Sequence, residues 1–382
     1  MERDFFEGLN IEQVKTPVFI ISEDAVAYNC EILDLIQKRT GCKILLALKA
    51  FSTYSLFPIM KKYLSGVCAS SPYEARLGRE EFGLEVHSYA AAFGRRDFED
   101  CLLFSDHIVF NSLSQYAAFK DDVVKNLDRV SFGLRVNPEY SEAPAVIYDP
   151  CAPFSRLGIK KEFLKEIPEG ISGLHFHALC EQDASALFNT ARAFEDKFSS
   201  FFGALSWLNF GGGHHITKPG YDIDLLCDVI LRFMDKYKVM VYLEPGEATV
   251  LNAGILAASV LDIVHNDIDI AVLDVSAAAH ICDVLEMPFT PAIAGAGKPG
   301  EFPYAYRLTG QSCLAGDIIG DYSFPAPLGI GDKIIISDMA HYTMVKANTF
   351  NGLKLPDIAL YSMKNGLVRV WEPSYENFKS RL

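Results

Sequence analysis

The feature that most constrains this chain is an alternation between residues 43 and 244. Eight short apolar runs (43–49, 66–70, 86–91, 107–111, 130–136, 172–177, 205–210 and 239–244) are separated by longer stretches. Several of those stretches, such as 72–82, 113–127, 184–202 and 223–237, have the apolar spacing of amphipathic helices. Near-continuous apolar strands divided by helices indicate a parallel sheet with both faces covered. Eight such units in about 210 residues point to a closed (β/α)8 TIM-type barrel. A doubly wound open sheet is the structural rival on pattern alone.

After Leu251 the pattern changes. Short strand candidates at 257–264, 270–275 and 333–337 are punctuated by Gly and Pro, and long helical runs stop. The expectation is an α/β chain in two parts: a barrel over 23–250 and a mostly-β domain over 251–382. The run VFII at 18–21 is one further strand, so residues 1–22 are assigned to the β domain, which becomes discontinuous.

The formal net charge of −14 argues against a nucleic-acid partner, whose phosphates would be repelled. No run of about 18 apolar residues marks a membrane span. The charged opening MERDFFEGLN has no apolar signal-peptide core, so a cytoplasmic location is expected. Nine cysteines without regular spacing read mostly as small buried thiols rather than a disulfide framework.

In a barrel of this kind the chemistry gathers at the C-terminal ends of the strands. Lys49 closes the first apolar run, where partial desolvation would favour an imine-forming amine; taken alone, a solvated lysine leaving a strand is the better reading. Gly211, Gly212 and Gly213 follow the seventh run and permit close approach of backbone to an anion, or simply a tight turn. Glu244 ends the eighth run, where a buried carboxylate needs a partner such as a protonated ring nitrogen. His175 and His177 share a face by the two-residue strand period. No third ligand accompanies them at a recognisable spacing, so no metal is expected. An amine, a phosphate cradle, an acid and an imidazole together are the set that pyridoxal 5′-phosphate needs.

The segments LLALKAFS, VCASSPYEARLG, GLHFHALCEQ, NFGGGHH, LEPGEA, GQSCLAGD and DMAHYTMVKANTFNG carry a family likeness over nearly the whole length. The chain resembles the alanine-racemase-like (fold type III) decarboxylases of diaminopimelate, ornithine and arginine. Within them it is most similar to the carboxynorspermidine/carboxyspermidine decarboxylases. The resemblance implies a pyridoxal-phosphate lyase in polyamine biosynthesis that works as a homodimer with shared active sites. It implies Lys49 as the Schiff-base lysine, His177 stacked on the cofactor ring, Gly211–Gly213 and Tyr342 at the phosphate, and Glu244 at the pyridine nitrogen. Cys313 would be the acid that returns a proton after CO2 leaves, reaching into the partner's site. Arg135 and, more weakly, Arg156 fall where relatives hold structural or active-site arginines.

Departures from the family pattern sharpen the substrate. Where many relatives carry a phosphate-binding arginine, in EPGR, this chain has Glu247, whose charge suits an amine. Leu314 replaces the aspartate that follows the cysteine in ornithine enzymes, with Asp317 three residues on as a possible substitute. Asp274, His280 and Asp283 fall where relatives meet the distal substrate amine. Acids without a distal arginine favour a polyamine over diaminopimelate, whose second carboxylate would want one. A same-fold diaminopimelate or ornithine decarboxylase remains one alternative, and a non-catalytic pyridoxal phosphate carrier is another. The role of Glu74 is left open.

Overall fold

The computed structural model describes residues 4–287 and 289–382. Residues 1–3 of the expected β-domain segment therefore lie outside the described residues. The chain divides into two compact units, Ala27–Thr249 and Met1–Val26 with Val250–Leu382.

The first strand, β1 (Val18–Ser22), belongs to the second of these units. The eight strands that follow are β2 (Lys43–Ala47), β3 (Gly66–Ala69), β4 (Glu85–Tyr89), β5 (His107–Phe110), β6 (Ser131–Arg135), β7 (Ile171–His175), β8 (Trp207–Asn209) and β9 (Met240–Leu243). All pair in parallel in chain order, and β2 pairs β9 to close the barrel. Each falls inside or within a residue of an apolar run read from the sequence. The open-sheet rival is thereby excluded.

Inside the barrel, alternate residues stack in layers, as the strand period requires. Leu45, Val109, Trp207 and Tyr242 form one packed cluster. Gly133 and Gly173 are glycines because Trp207 occupies their space; a Cβ there would come within 2.4 and 2.1 Å of the indole. The barrel is thus a filled core.

Helices Ala184–Phe202 and Ile223–Tyr237 keep the expected limits. The 72–82 helix does not run through: Pro72–Leu77 is α-helical and Gly78–Phe82 widens to i→i+5 bonding. Helices Glu23–Thr40 and Arg95–Phe104 were not singled out by periodicity. No helix of the described residues is long and apolar enough to cross a membrane.

The second unit is an eight-stranded sheet. Its later strands are β10 (Gly254–Asn266), β11 (Ile268–Leu273), β12 (Tyr304–Thr309), β13 (Ile318–Phe324), β14 (Lys333–Ser337), β15 (Asp357–Ser362) and β16 (Gly366–Trp371). The order is β13-β12-β11-β10-β1-β15-β16, with β14 on β10. β1 is buried at every residue. Phe19 enters one core with Leu256 and Ile336, while Val18 and Ile20 enter another with Ala257 and Ala359. That two-sided burial is why its sequence reads VFII without alternation.

Candidate active site

β2 ends at Ala47, so Lys49 stands two residues past the strand, in a turn. The turn is held on both sides. Leu48 N–H donates to Cys68 O on the β3 side, and Ala47 N–H donates to Pro245 O in the loop after β9. Gly246 must be glycine here, because a Cβ would sit 2.4 Å from that of Ala50. Lys49 is exposed, and its amine has no hydrogen-bond or ion-pair partner among the described residues. Its charge acts on His177 and His175, on Cys68 and Cys180, and on Glu74. That places it electrostatically amid the strand ends.

Glu244 is 8% exposed at the end of β9. Asn209 Nδ2 donates to its Oε1 at 2.7 Å, and His175 Nε2 lies 3.4 Å from its Oε2. Burial opposes the negative charge most strongly, but His175 and the Asn209 amide outweigh it and hold the carboxyl at about 2. His175 itself is pushed down by burial against the pull of Glu244. Asn209 turns its carbonyl the other way and accepts the Gly211 N–H at 2.8 Å. One side chain therefore ties the glycine turn to the acid.

The glycines serve geometry before they serve an anion. Gly211 and Gly213 have φ of 67° and 84°. A Cβ on them would strike Phe176 O at 2.4 Å and Leu179 O at 2.1 Å. The N–H of Gly211 goes to Asn209 and that of Gly212 to His177 Nδ1 at 3.1 Å. Of the three, only the Gly213 N–H has no acceptor among the described residues. An anion cradle built from all three N–H groups is thus corrected to one free donor on a turn that backbone packing shapes. Since His177 Nδ1 accepts, the ring proton sits on Nε2. Burial and Lys49 push its pKa well down, so the ring is neutral.

Arg135 donates to Tyr89 Oη at 2.8 Å and to His177 O at 2.9 Å, so it fixes the His177 backbone. Arg156 is exposed, its carbonyl held by Asn111 Nδ2 at 2.8 Å. Glu74 accepts the Ser70 N–H at 2.6 Å while Ser71 Oγ accepts the Glu74 N–H, which makes it a helix-start group. Glu247 Oε1 is 2.9 Å from His215 Nε2, and Glu181 lies close enough to join them in one cluster. His175, His177 and Glu244 are likewise clustered, so folding supplies a third group that spacing did not reveal.

The remaining predicted residues lie in the sheet unit. Cys313 is the one exposed cysteine of nine, all unpaired. Its N–H donates to Asn351 Oδ1 at 2.7 Å. Asp317 is corrected from substrate contact to loop anchor. Ser276 Oγ and the N–H groups of Ala277, Ala278 and Ser312 fill all its acceptor positions, and it is 3% exposed. Asp274 accepts from Thr16 Oγ1 and Ser259 N–H, and Asp283 pairs with Lys346. His280 is fully buried, and burial lowers it to about 4. Tyr342 sits at φ 39°, just before the short helix Thr343–Lys346. Leu314 is exposed and lines a cavity of about 390 Å³ with Ala277, Cys282, Leu285 and Phe350 and with the polar Glu286 and Asn348.

Residues 25–340 match the family model described as pyridoxal-dependent decarboxylase, C-terminal sheet domain. The chain belongs to the pyridoxal-dependent decarboxylases. A carboxynorspermidine/carboxyspermidine decarboxylase of Campylobacter jejuni is 44% identical over 97% of this chain and 99% of its own length. A carboxyaminopropylagmatine decarboxylase of Synechocystis is 39% identical over 99% of this chain and 98% of its own. The crystal structure of carboxynorspermidine decarboxylase with norspermidine, from Campylobacter jejuni, superposes with a TM-score of 0.90 at 41% identity, covering 97% of this chain and all of that one. This decarboxylase takes pyridoxal phosphate, and its barrel fits the group: an unpartnered amine at Lys49, an ionised Glu244 with no lysine or arginine bound to it among the described residues, a neutral His177 and a free Gly213 N–H. Asn209 and Glu74 escaped sequence reasoning as organising residues. The polar Asn209 in an otherwise apolar strand was the available signal.

Proposed function

We propose that this decarboxylase removes the α-carboxylate of carboxynorspermidine or carboxyspermidine, giving norspermidine or spermidine in polyamine biosynthesis. The 44% identity to the Campylobacter jejuni enzyme over 97% of the chain carries the reading. Glu247 supports it from the chemistry of the site: its carboxylate attracts a polyamine's ammonium and repels the distal carboxylate of diaminopimelate. Asp274, Asp283 and His280 are second candidates for the distal amine, and the two aspartates would first have to give up the partners they hold.

Bound pyridoxal phosphate supplies a sink for the electron pair left when CO2 departs. Lys49 would be the amine that holds the cofactor. Glu244, ionised and held by Asn209 and His175, would face a protonated ring nitrogen and keep that proton in place. His177 would offer a neutral ring for stacking, and Gly213 and Tyr342 would take the phosphate. The Cys313 thiol returns a proton to the substrate carbon. We propose further a cytoplasmic homodimer whose partner lends that thiol.

A second reading rests on the Synechocystis relative, whose substrate carries the same amino-acid end and a guanidinium tail. CO2 release from pure carboxynorspermidine, carboxyspermidine, carboxyaminopropylagmatine and diaminopimelate distinguishes them. A preference for diaminopimelate would overturn the polyamine reading. Analytical ultracentrifugation checks the dimer.

A further inference from the structure

Two loops at the mouth of the barrel bring a second carboxylate, that of Glu181, beside Glu247. Glu181 lies in the loop after β7, and the loop after β8 carries Gly213, His214 and His215. The main chain ties the two loops together. Gln182 N–H donates to Gly213 O at 3.0 Å, and His215 N–H donates to Gln182 O at 3.1 Å. Gln182 Oε1 turns back and accepts the Cys180 N–H at 3.2 Å. Glu181, set between these bonds, adopts a φ of 52°, which a residue other than glycine keeps only where its surroundings impose it. The turn holds its carboxylate against the loop after β9. Side-chain oxygens of Glu181 and Glu247 and a ring nitrogen of His215 all lie within 4.8 Å of one another.

Two carboxylates this close repel each other unless a cation stands with them. His215 Nε2, 2.9 Å from Glu247 Oε1, answers one oxygen of the pair. Lys49 is a second positive group in reach. Burial pushes the Cys180 thiol up to about 11, Glu181 and Glu247 push it the same way, and the charge of Lys49 opposes them. One thiol thus feels both acids and the amine assigned to the cofactor, so the acids border the place of the substrate's amino-acid end. In carboxynorspermidine and carboxyspermidine, two methylenes separate the α-carbon from an inner, secondary nitrogen. That nitrogen stays near the reacting carbon and is cationic at neutral pH. Diaminopimelate has a methylene at the same point.

We propose, resting on the polyamine reading above, that Glu181 is a specificity-determining residue: its carboxylate and that of Glu247 clasp the inner ammonium of the substrate. His215, 8% exposed, keeps Glu247 in place from below, while Glu181 is exposed and closes on the chain from the rim. One acid tells a cation from an anion. A pair reads where along the chain the charge lies. A methylene brought between the two carboxylates takes water from them and returns no hydrogen bond, so a chain of equal length without the nitrogen is rejected.

The test measures inhibition of CO2 release by norspermidine and by heptane-1,7-diamine, which has the same length with a methylene in place of the inner nitrogen. The cofactor-loaded wild type should bind norspermidine at least about tenfold more tightly than the diamine, the worth of one charged hydrogen bond. Glu181→Gln should weaken norspermidine about tenfold and change heptane-1,7-diamine less than about twofold. Glu181→Asp, which keeps the charge, should recover part of the loss. Because Glu181 is exposed, neither variant disturbs the core. A merely structural role would weaken both inhibitors alike, and that result overturns the proposal. So does a Glu181→Gln variant that binds both as the wild type does. A wild type that norspermidine fails to inhibit overturns the polyamine reading itself, and the role of Glu181 falls with it.

Discussion

At the C-terminal end of the barrel, His175 Nε2 lies 3.4 Å from Glu244 Oε2; at the N-terminal end, His87 Nε2 lies 3.4 Å from Glu85 Oε2. Both histidines are 2% exposed. Both carboxyls are held at about 2 although burial, the largest influence on each, acts the other way. The difference is the third partner. Glu244 receives a neutral amide from Asn209, whereas Glu85 receives the ammonium of Lys43. A carboxylate already matched to a lysine has little to offer a cationic ring. One held by an amide keeps its charge available. The same pair of groups is thus left open to a further partner at one end and is a closed electrostatic unit at the other.

The sharpest way to break the comparison is to remove a lysine from each end. Lys49→Ala should lower CO2 release on the order of 10⁴-fold or more and abolish the visible cofactor band. Lys43→Ala should change turnover less than about threefold, as expected of a partly exposed ion pair far from the chemistry. Equal losses in the two variants would end the distinction. Exchanging the acids comes next. Glu244→Gln should cost roughly 10²–10³-fold in kcat, the scale of losing one preorganised electrostatic contact. Glu85→Gln should act on thermal stability instead. Glu247→Gln should raise KM for the polyamine about tenfold with kcat little changed, the worth of one charged hydrogen bond.

The smallest expected effect is on pH-dependent stability. His107 is lowered to about 2 by burial, so its fold-stabilising neutral form is complete above the unfolded value near 6.5 and is lost as pH falls toward 2. The two carboxylates contribute fully above their unfolded values near 4.5 and lose that contribution progressively as pH falls from there through about 2. Melting temperature should therefore begin to fall below pH 6.5, before any carboxylate titrates. His107→Gln should flatten the slope between pH 6.5 and 4.5 in a calorimetric series, and an unchanged slope would remove His107 from the account.

The barrel was legible because strands covered on both faces leave continuous apolar runs, and eight of them appeared in register with helical spacers. The sheet unit was read less fully. β16 is exposed along most of its length and β12 alternates, so neither leaves an apolar run. The strand-end residues Lys49, His177 and Glu244 could be found because they interrupt apolar runs. Asn209 also interrupts an apolar run and Asp317 stands out as an acid, but what each does depends on which groups it meets after folding. Asp317 reads as an acid near the cysteine, and only the structure shows its acceptor positions already filled.

The position of β1 governs when the protein can be finished. It bonds β10 on one side and β15 on the other, so its two neighbours are encoded more than 200 and more than 300 residues downstream. On a ribosome adding about 5–20 residues per second, β1 emerges roughly 20 s to a minute before β15 exists. A mostly apolar strand must wait for β10 while the barrel segment is made, and for β15 throughout that interval. That wait is a consequence of encoding the centre of a sheet ahead of the barrel.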